Sequence, residues 1–156
     1  RFDAGVRSGD QVGKDMIAVR ISPELCMGVA ASPAYLADRP LPHSPRELTA
    51  HQCINLRLPT HGGLYAWEFE QGGQALNVRV DGQLTLNNTF LMLRAALDGM
   101  GLAYVPVDLL QPHLNSGALV PVLQDWWPRF PGYYLYYANR RQQSPALALV
   151  IEALRI

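Results

Sequence analysis

The sequence predicts an α/β fold, and three observations support this prediction. Strand-length apolar segments alternate with capped helical segments, and the connections between strands are long enough to hold a helix. Of the 156 residues, 49% are hydrophobic and 17% are charged, which is typical of a globular chain. A chain of this length can form one compact domain or two small lobes that share a core. Because helix-length connections join the strands, we expect largely parallel sheets.

The first part of the chain is rich in predicted strands. Alternating or β-branched segments bounded by turn residues predict strands over 2–7, 16–21, 25–31, 53–56, 65–69 and 76–86. The last two are joined by a hairpin turn with glycines at positions 72 and 73. The dipeptides Ser32-Pro33 and Ser44-Pro45 each predict the start of a short helix, with serine as the N-cap and proline at the first helical position.

The second part carries the clearest predicted helix. Asn87, Asn88 and Thr89 form the capping turn of a helix from Phe90 to Asp98, which is apolar around most of its circumference. Further segments predict strands over 102–105, 119–123 and 133–137 and helices over 107–114 and 145–154. The stretch 127–131 contains two prolines and is the best candidate for a crossover between lobes.

Composition limits the possible partners. Thirteen basic and thirteen acidic residues give a formal net charge of zero, whereas a chain that bound DNA by itself would need a basic surface. No apolar run reaches the roughly 18–20 residues that span a bilayer. The chain opens with neither an initiator methionine nor a signal peptide, as though inside a strand. We expect a cytoplasmic protein that makes no membrane contact.

The sequence offers no motif for catalysis or metal binding. Cys26 and Cys53 lie on apolar strands, so reduced core thiols are expected, with a single disulfide as the alternative. The four histidines lack metal-site spacing, and no serine-nucleophile, phosphate-loop or dinucleotide motif is present. We therefore expect no cofactor, no metal and no enzymatic activity.

Five segments resemble, in the same order, the LysR-type transcription regulators of bacteria. They are DAGVRSG from Asp3, VAASPAYL from Val29, PREL and HQCI from Pro45, WEF from Trp67 and AALDGMGLAYVP from Ala95. One departure is Glu47, where the family more often has aspartate. The chain is identified as a member of this family, namely its C-terminal effector-binding domain, truncated at the N-terminus.

The resemblance implies a two-lobed fold like that of the type 2 periplasmic binding proteins, with the second lobe inserted into the first. Lobe I would comprise residues 1–30 and 128–156, and lobe II would comprise residues 31–127. Lobe I would be incomplete, because its opening strand and helix are expected before Arg1. The linker helix and the DNA-binding winged helix-turn-helix are expected there too.

The resemblance also implies a function. A small effector, which we expect to carry a carboxylate, would bind between the lobes, and DNA would be bound only through the missing helix-turn-helix. The helix from Phe90 to Asp98 would join two subunits in a homo-oligomer. Two other classes stay open. A periplasmic solute-binding protein of this fold would need a signal sequence upstream, and a metabolic enzyme would need a nucleophile or base in the cleft.

Six residues are predicted to contact the effector. The helix N-terminus at Asn87, Asn88 and Thr89 favours an anion. Arg7 ends a strand and could clamp a carboxylate. Ser32 lies at the expected crossover between lobes, and Tyr104 lies on a strand that lines the cleft in the resembling family. Each residue also has a purely structural alternative. The alternative is helix capping alone for Ser32 and for the 87–89 turn, a surface position or an ion pair between lobes for Arg7, and a core position for Tyr104. The polar loop 57–63 is either a flexible cleft wall or an ordinary surface loop.

Overall fold

A computed structural model of the protein describes residues 2–8, 15–59, 62–138 and 144–156. The chain divides into two compact units, unit 1 formed by Arg1–Leu25 with Arg129–Ile156 and unit 2 formed by Cys26–Pro128. Unit 2 is inserted into unit 1. The first division lies earlier than the expected boundary after residue 30, because the strand Leu25–Ala31 pairs along most of its length with strands of unit 2. The second division falls inside the stretch 127–131.

The elements are numbered in chain order. The strands are β1 Gly5–Ser8, β2 Met16–Arg20, β3 Leu25–Ala31, β4 Asn55–Leu56, β5 Trp67–Gln71, β6 Gln74–Val78, β7 Thr85–Leu86, β8 Ala103–Pro106, β9 Val120–Val122, β10 Arg129–Phe130 and β11 Tyr133–Ala138. The helices are α1 Pro33–Leu36, α2 Thr89–Leu97, α3 Val107–Ser116 and α4 Pro145–Leu154, with short 3-10 helices at Pro45–Ala50 and Gln124–Trp126. The predicted helices are all present, whereas the predicted strand 76–86 is divided between β6 and β7.

Unit 1 contains an antiparallel sheet in the order β1-β11-β2, packed against α4. The Ser144 hydroxyl accepts a hydrogen bond from the Leu147 N–H at 3.2 Å and so caps α4 as the sequence predicts. Ile151 on α4 is buried against Val19 and Leu135. The opposite face of this sheet carries Arg7.

The expectation of largely parallel sheets is wrong. In the described chain, β1, β2, β5, β6, β8 and β9 all pair antiparallel with their neighbours, and the named parallel pair is β4 with β7. A helix-length connection does not require that the strands it joins be neighbours. Helix α3 joins β8 to β9, which lie on either side of β3 and both run antiparallel to it.

The middle of unit 2 is the extended segment 52–57, which includes β4. Its backbone is hydrogen-bonded on both sides: the Cys53 N–H donates to Asp81 O at 2.9 Å, and the Ile54 N–H donates to Leu102 O at 2.9 Å. A glycine lies beside the segment on each flank. A Cβ atom at Gly82 would overlap the Cys53 carbonyl, and one at Gly101 would overlap the Gln52 carbonyl. The absence of side chains at these two positions therefore permits the close backbone approach.

A buried polar cluster fixes the start of this segment. The Tyr35 hydroxyl accepts a hydrogen bond from the Gln52 N–H at 2.8 Å and lies 3.0 Å from His51 Nδ1. The direction of the Tyr35–His51 hydrogen bond depends on the histidine tautomer, and the hydroxyl donates to Nδ1 when the neutral ring carries its proton on Nε2. His51 is 7% exposed, and Arg39 lies over the Tyr35 ring at 4.2 Å. Burial, and then the Arg39 charge, lower the pKa of His51 below its usual value.

This cluster predicts a loss of stability in mild acid. A histidine whose pKa is lowered in the folded state binds its proton more readily when unfolded. The free energy of unfolding should therefore fall as the pH drops below about 6.5, the ordinary histidine pKa, until the folded-state pKa is reached. Denaturant unfolding from roughly pH 7.5 to roughly pH 5 measures this slope. His51→Gln should flatten the slope and the exposed-site variant His43→Gln should keep it; an unchanged slope in His51→Gln would contradict the assignment.

Candidate effector-binding site

Three parallel segments of unit 2 end on one edge. The segment 52–57 runs parallel to β7 and, through the Cys53–Leu102 bridge, to the strand that continues into β8. Their last residues are Arg57, Leu86 and Pro106. Met27 at the start of β3 pairs with Pro106, and its N–H donates to Pro128 O at 3.2 Å. We call Arg57, Leu86, Pro106 and the turn 87–89 the carboxyl edge. The first and last residues of unit 2 lie close to Pro106, through Met27 and its hydrogen bond to Pro128.

The N-terminus of α2 lies on the carboxyl edge. Asn88 caps the helix: its side-chain oxygen accepts from the Phe90 N–H at 2.9 Å and from the Leu91 N–H at 3.2 Å. Within the described part of the chain, the Thr89 N–H donates no hydrogen bond. Asn87 and Asn88 are exposed, and Thr89 is half-buried. Capping therefore leaves one helix amide, the Thr89 hydroxyl and two side-chain amides for an anionic group.

Arg57 is a cation on the carboxyl edge that lies outside the six predicted residues. Its N–H donates to Leu86 O at 2.8 Å, so its backbone lies beside the residue that precedes Asn87. Its guanidinium donates to Gly62 O at 2.5 Å and has no carboxylate partner among the described residues. Arg57 follows a predicted strand, much as Arg7 ends one, but only the parallel pairing of the segment 52–57 with β7 shows that it lies beside Asn87.

Arg7 belongs to unit 1. It is exposed near the end of β1, and its guanidinium carbon lies 5.5 Å from the centre of the Tyr136 ring. That ring lies over Gly5, where a Cβ atom would overlap the Tyr136 hydroxyl. No carboxylate pairs with Arg7 in the described ranges, so its charge is available to a ligand.

Ser32 lies at the other end of unit 2. It follows β3, whose residues 27–31 span roughly 13 Å at the usual rise of a strand, whereas Met27 lies on the carboxyl edge. Its hydroxyl accepts from the Tyr35 N–H at 3.1 Å and lies near Gly99, just past the C-terminus of α2. Ser32 is 4% exposed. These contacts support the capping alternative, and the expected position at a lobe crossover is not observed.

Tyr104 is at the centre of an aromatic cluster in the core. It is 4% exposed and stacks on Trp67 with ring centres 5.5 Å apart, while Phe69 meets it edge-on at 5.9 Å. Its hydroxyl donates to Glu68 O at 2.8 Å. Burial raises the pKa of Tyr104. Residue 104 thus holds the β5–β6 hairpin against β8, which supports the core alternative.

Cys53 is a buried core thiol. Cys53 is 1% exposed, and burial raises the pKa of its thiol to about 12, so the thiolate needed for nucleophilic attack is not populated at neutral pH. Cys26 and Cys53 are not joined by a disulfide. No three His, Cys, Asp or Glu side chains in the described ranges are placed to hold a metal ion. None of the described helices has the length and apolar character needed to cross a bilayer.

Comparisons with known proteins agree with this architecture. The sequence profile of the family described as "LysR substrate binding domain" matches residues 1–156. A putative transcriptional regulator of Pseudomonas aeruginosa is 56% identical over 155 residues, which are 99% of this chain and 51% of that protein. The HTH-type transcriptional regulator PgrR of Escherichia coli is 45% identical over 155 residues, covering 99% and 52%.

A solved structure shows the same fold. The full-length structure of AphB, a Vibrio cholerae virulence activator and member of the LTTR protein family, matches with a TM-score of 0.80 and 28% identity. The match covers 98% of this chain and 51% of that one. The α/β, two-lobed fold implied by the resemblance is thereby confirmed. The chain spans about half the length of the curated relatives it matches.

A substitution at Tyr104 tests whether its hydroxyl stabilises the core. Tyr104→Phe removes the hydroxyl that pairs with the Glu68 carbonyl and should lower the free energy of unfolding by about 1–2 kcal/mol, since a part-buried acceptor loses its partner. Urea unfolding measures the change. Tyr133→Phe, at a 38% exposed position, is the matched control and should have little effect. Unchanged stability in Tyr104→Phe would show that its hydroxyl does not hold the hairpin.

Proposed function

The chain belongs to the LysR substrate-binding-domain family, and from this premise we propose that it is the ligand-sensing domain of a DNA-binding transcription regulator. Relatives at 56% and 45% identity are transcriptional regulators, which favours this role over a periplasmic solute-binding protein or an enzyme. DNA would be bound by a helix-turn-helix outside this chain, because the chain itself has no net positive charge. A protein that regulates transcription acts at the chromosome, which supports a cytoplasmic location.

The effector we propose is a small carboxylate, bound at the carboxyl edge. The observation that carries this proposal is the unpaired Thr89 N–H at the start of the nine-residue helix α2. The positive end of the helix dipole and the Arg57 guanidinium both favour an anion there. Asn87 and Asn88 supply side-chain amides. We also propose Arg7 as an effector-binding residue, because its exposed guanidinium has no carboxylate partner among the described residues. Ser32 and Tyr104 are left out, because their polar atoms are already paired in the core.

Effector binding would regulate by differential affinity. A ligand shifts an equilibrium between two arrangements only by the difference between its binding free energies for them, and a useful coupling is about 1–3 kcal/mol. No chemical step is needed for this role, and we propose that the domain has no catalytic activity.

Helix α2 also supports the proposed homo-oligomer. Met92, Leu93 and Ala96 are buried in unit 2, whereas Phe90 is 66% exposed and Leu91 is 53% exposed. Two large apolar side chains on the first turn of a helix are available to a second subunit. The Arg94–Asp98 ion pair, with a 3.2 Å contact, lies on the same exposed side and gives that surface a polar border.

The effector proposal is tested by removing a single backbone donor. Proline is tolerated at the first position of a helix but has no N–H, and the extended backbone of Asn88 (φ −143°, ψ 129°) suits a following proline. A thermal-shift screen of small carboxylates on the full-length protein should find a stabilising compound, since ligand at 100 times Kd stabilises by about 2.7 kcal/mol. Thr89→Pro should weaken that compound roughly tenfold or more, because a charge-assisted hydrogen bond is lost.

Two controls accompany this test. Thr89→Ala keeps the backbone donor and should retain more affinity than Thr89→Pro, and Arg7→Ala and Arg57→Gln report separately on each guanidinium. A stabilising carboxylate whose affinity changed in none of the variants at positions 7, 57 and 89 would refute the proposed site.

The oligomer proposal concerns Phe90. Phe90→Glu places a charge on the exposed side of α2 and should shift the full-length protein toward smaller species in sedimentation velocity at equal concentration. Folding should be retained, because the side chain has few contacts to lose. Leu41→Glu is the matched control, since Leu41 is also an exposed apolar residue of unit 2, at 46%, but lies outside α2. Equal effects of the two substitutions, or none from Phe90→Glu, would contradict an interface through α2.

A further inference from the structure

Unit 2 has a concave region at the tip of the β5–β6 hairpin. It is a pocket of about 260 Å³, and none of its lining residues belongs to the carboxyl edge. The lining residues that matter here are Pro45, Arg46, Gln71, Gln74, Leu76 and Trp126. The pocket is smaller than the usual sites for drug-sized ligands, so its dimensions suit a single ring with one substituent.

Two glutamines occupy positions where the strand pattern would place apolar residues. Trp67, Phe69 and residue 71 share one face of β5, and the first two are buried. Gln71 and Gln74 are direct cross-strand partners, next to the Phe69–Leu76 pair. The face of the hairpin that carries Trp67 and Phe69 therefore ends in two neighbouring, exposed amides that line the pocket. Each amide offers both a donor and an acceptor to a polar ring or its substituent.

The charge and shape of the pocket define the class of ligand. Arg46 is the one charged side chain among the lining residues, it is exposed, and it has no carboxylate partner in the described part of the chain. Trp126 is half-buried and supplies an aromatic surface, with Leu76 and Pro45 as apolar walls. A pocket lined by an unpaired guanidinium and an indole fits an aromatic acid, whose carboxylate would pair with Arg46 and whose ring would pack on Trp126.

We propose that this pocket is an accessory binding site for a small planar aromatic carboxylate. The Arg46 guanidinium binds the acid group, the Trp126 indole contacts the ring, and Gln71 and Gln74 hydrogen-bond to polar atoms on the ring edge. The site is independent of the effector proposed for the carboxyl edge, because the two share no residue.

The test uses nicotinate and its neutral amide nicotinamide, which share one ring and differ in charge. The full-length protein is labelled with 5-fluorotryptophan, and the Trp126 signal is assigned in the fluorine NMR spectrum by its loss in Trp126→Phe. Nicotinate should shift this signal saturably. Nicotinamide should bind about tenfold more weakly or worse, because it lacks the charge-assisted pair with Arg46. Acetate should not shift the signal, since it has no ring.

Variants complete the test. Arg46→Gln should weaken nicotinate about tenfold, whereas Arg79→Gln, at another exposed arginine of unit 2 outside the pocket, should leave it unchanged. Thr89→Pro should also leave the nicotinate shift unchanged, so failure of the carboxyl-edge proposal is distinguishable from failure of this one. No saturable shift at Trp126, equal binding of nicotinate and nicotinamide, or unaltered affinity in Arg46→Gln would overturn the proposal.

Discussion

The backbone of residues 52–57, bound on both flanks by other backbone segments, is the constraint on which the rest of unit 2 depends. Gly82 and Gly101 permit this close approach, because a side chain at either position would collide with a carbonyl of the segment. The resulting hydrogen bonds fix the parallel register of β4 with β7 and the start of β8. That register in turn brings Arg57 and the turn 87–89 to one edge. The proposed effector site follows from how closely three backbones approach each other.

Buried residues beside this segment also hold it and the neighbouring hairpin in place. Tyr35 and His51 hold its first residue through the Gln52 N–H, and Tyr104 holds the β5–β6 hairpin through the Glu68 carbonyl. Polar atoms in these positions are paired within the protein and are not available to a ligand. Helix capping is incomplete at Thr89 and at the start of α3, where Pro106 provides no side-chain cap, and the proposed site uses the first of these.

Local sequence signals predicted the capped helices well, because an N-cap and a following proline or glycine act over one turn. Ser144, Ser32 and Asn88 all cap the helices that the sequence assigns to them. Strand direction was not predictable in this way, since it depends on which strands become neighbours. Strand pairing also decides at which edge of a sheet a residue lies. For that reason the prediction placed Ser32 at the effector site and did not include Arg57. Only the pairing of β3 with β8 shows that Ser32 lies far from the carboxyl edge, and only the parallel register shows that Arg57 lies on it.

The most direct measurement is the amide resonance of Thr89 in the NMR spectrum of the full-length protein, titrated with a carboxylate that raises its melting temperature. A carboxylate oxygen accepting this N–H should move the resonance strongly, and the shift should saturate with the same Kd as the thermal stabilisation. A stabilising carboxylate that leaves the Thr89 amide unmoved while shifting resonances elsewhere would contradict the account, because the unpaired helix amide would then have no part in recognition.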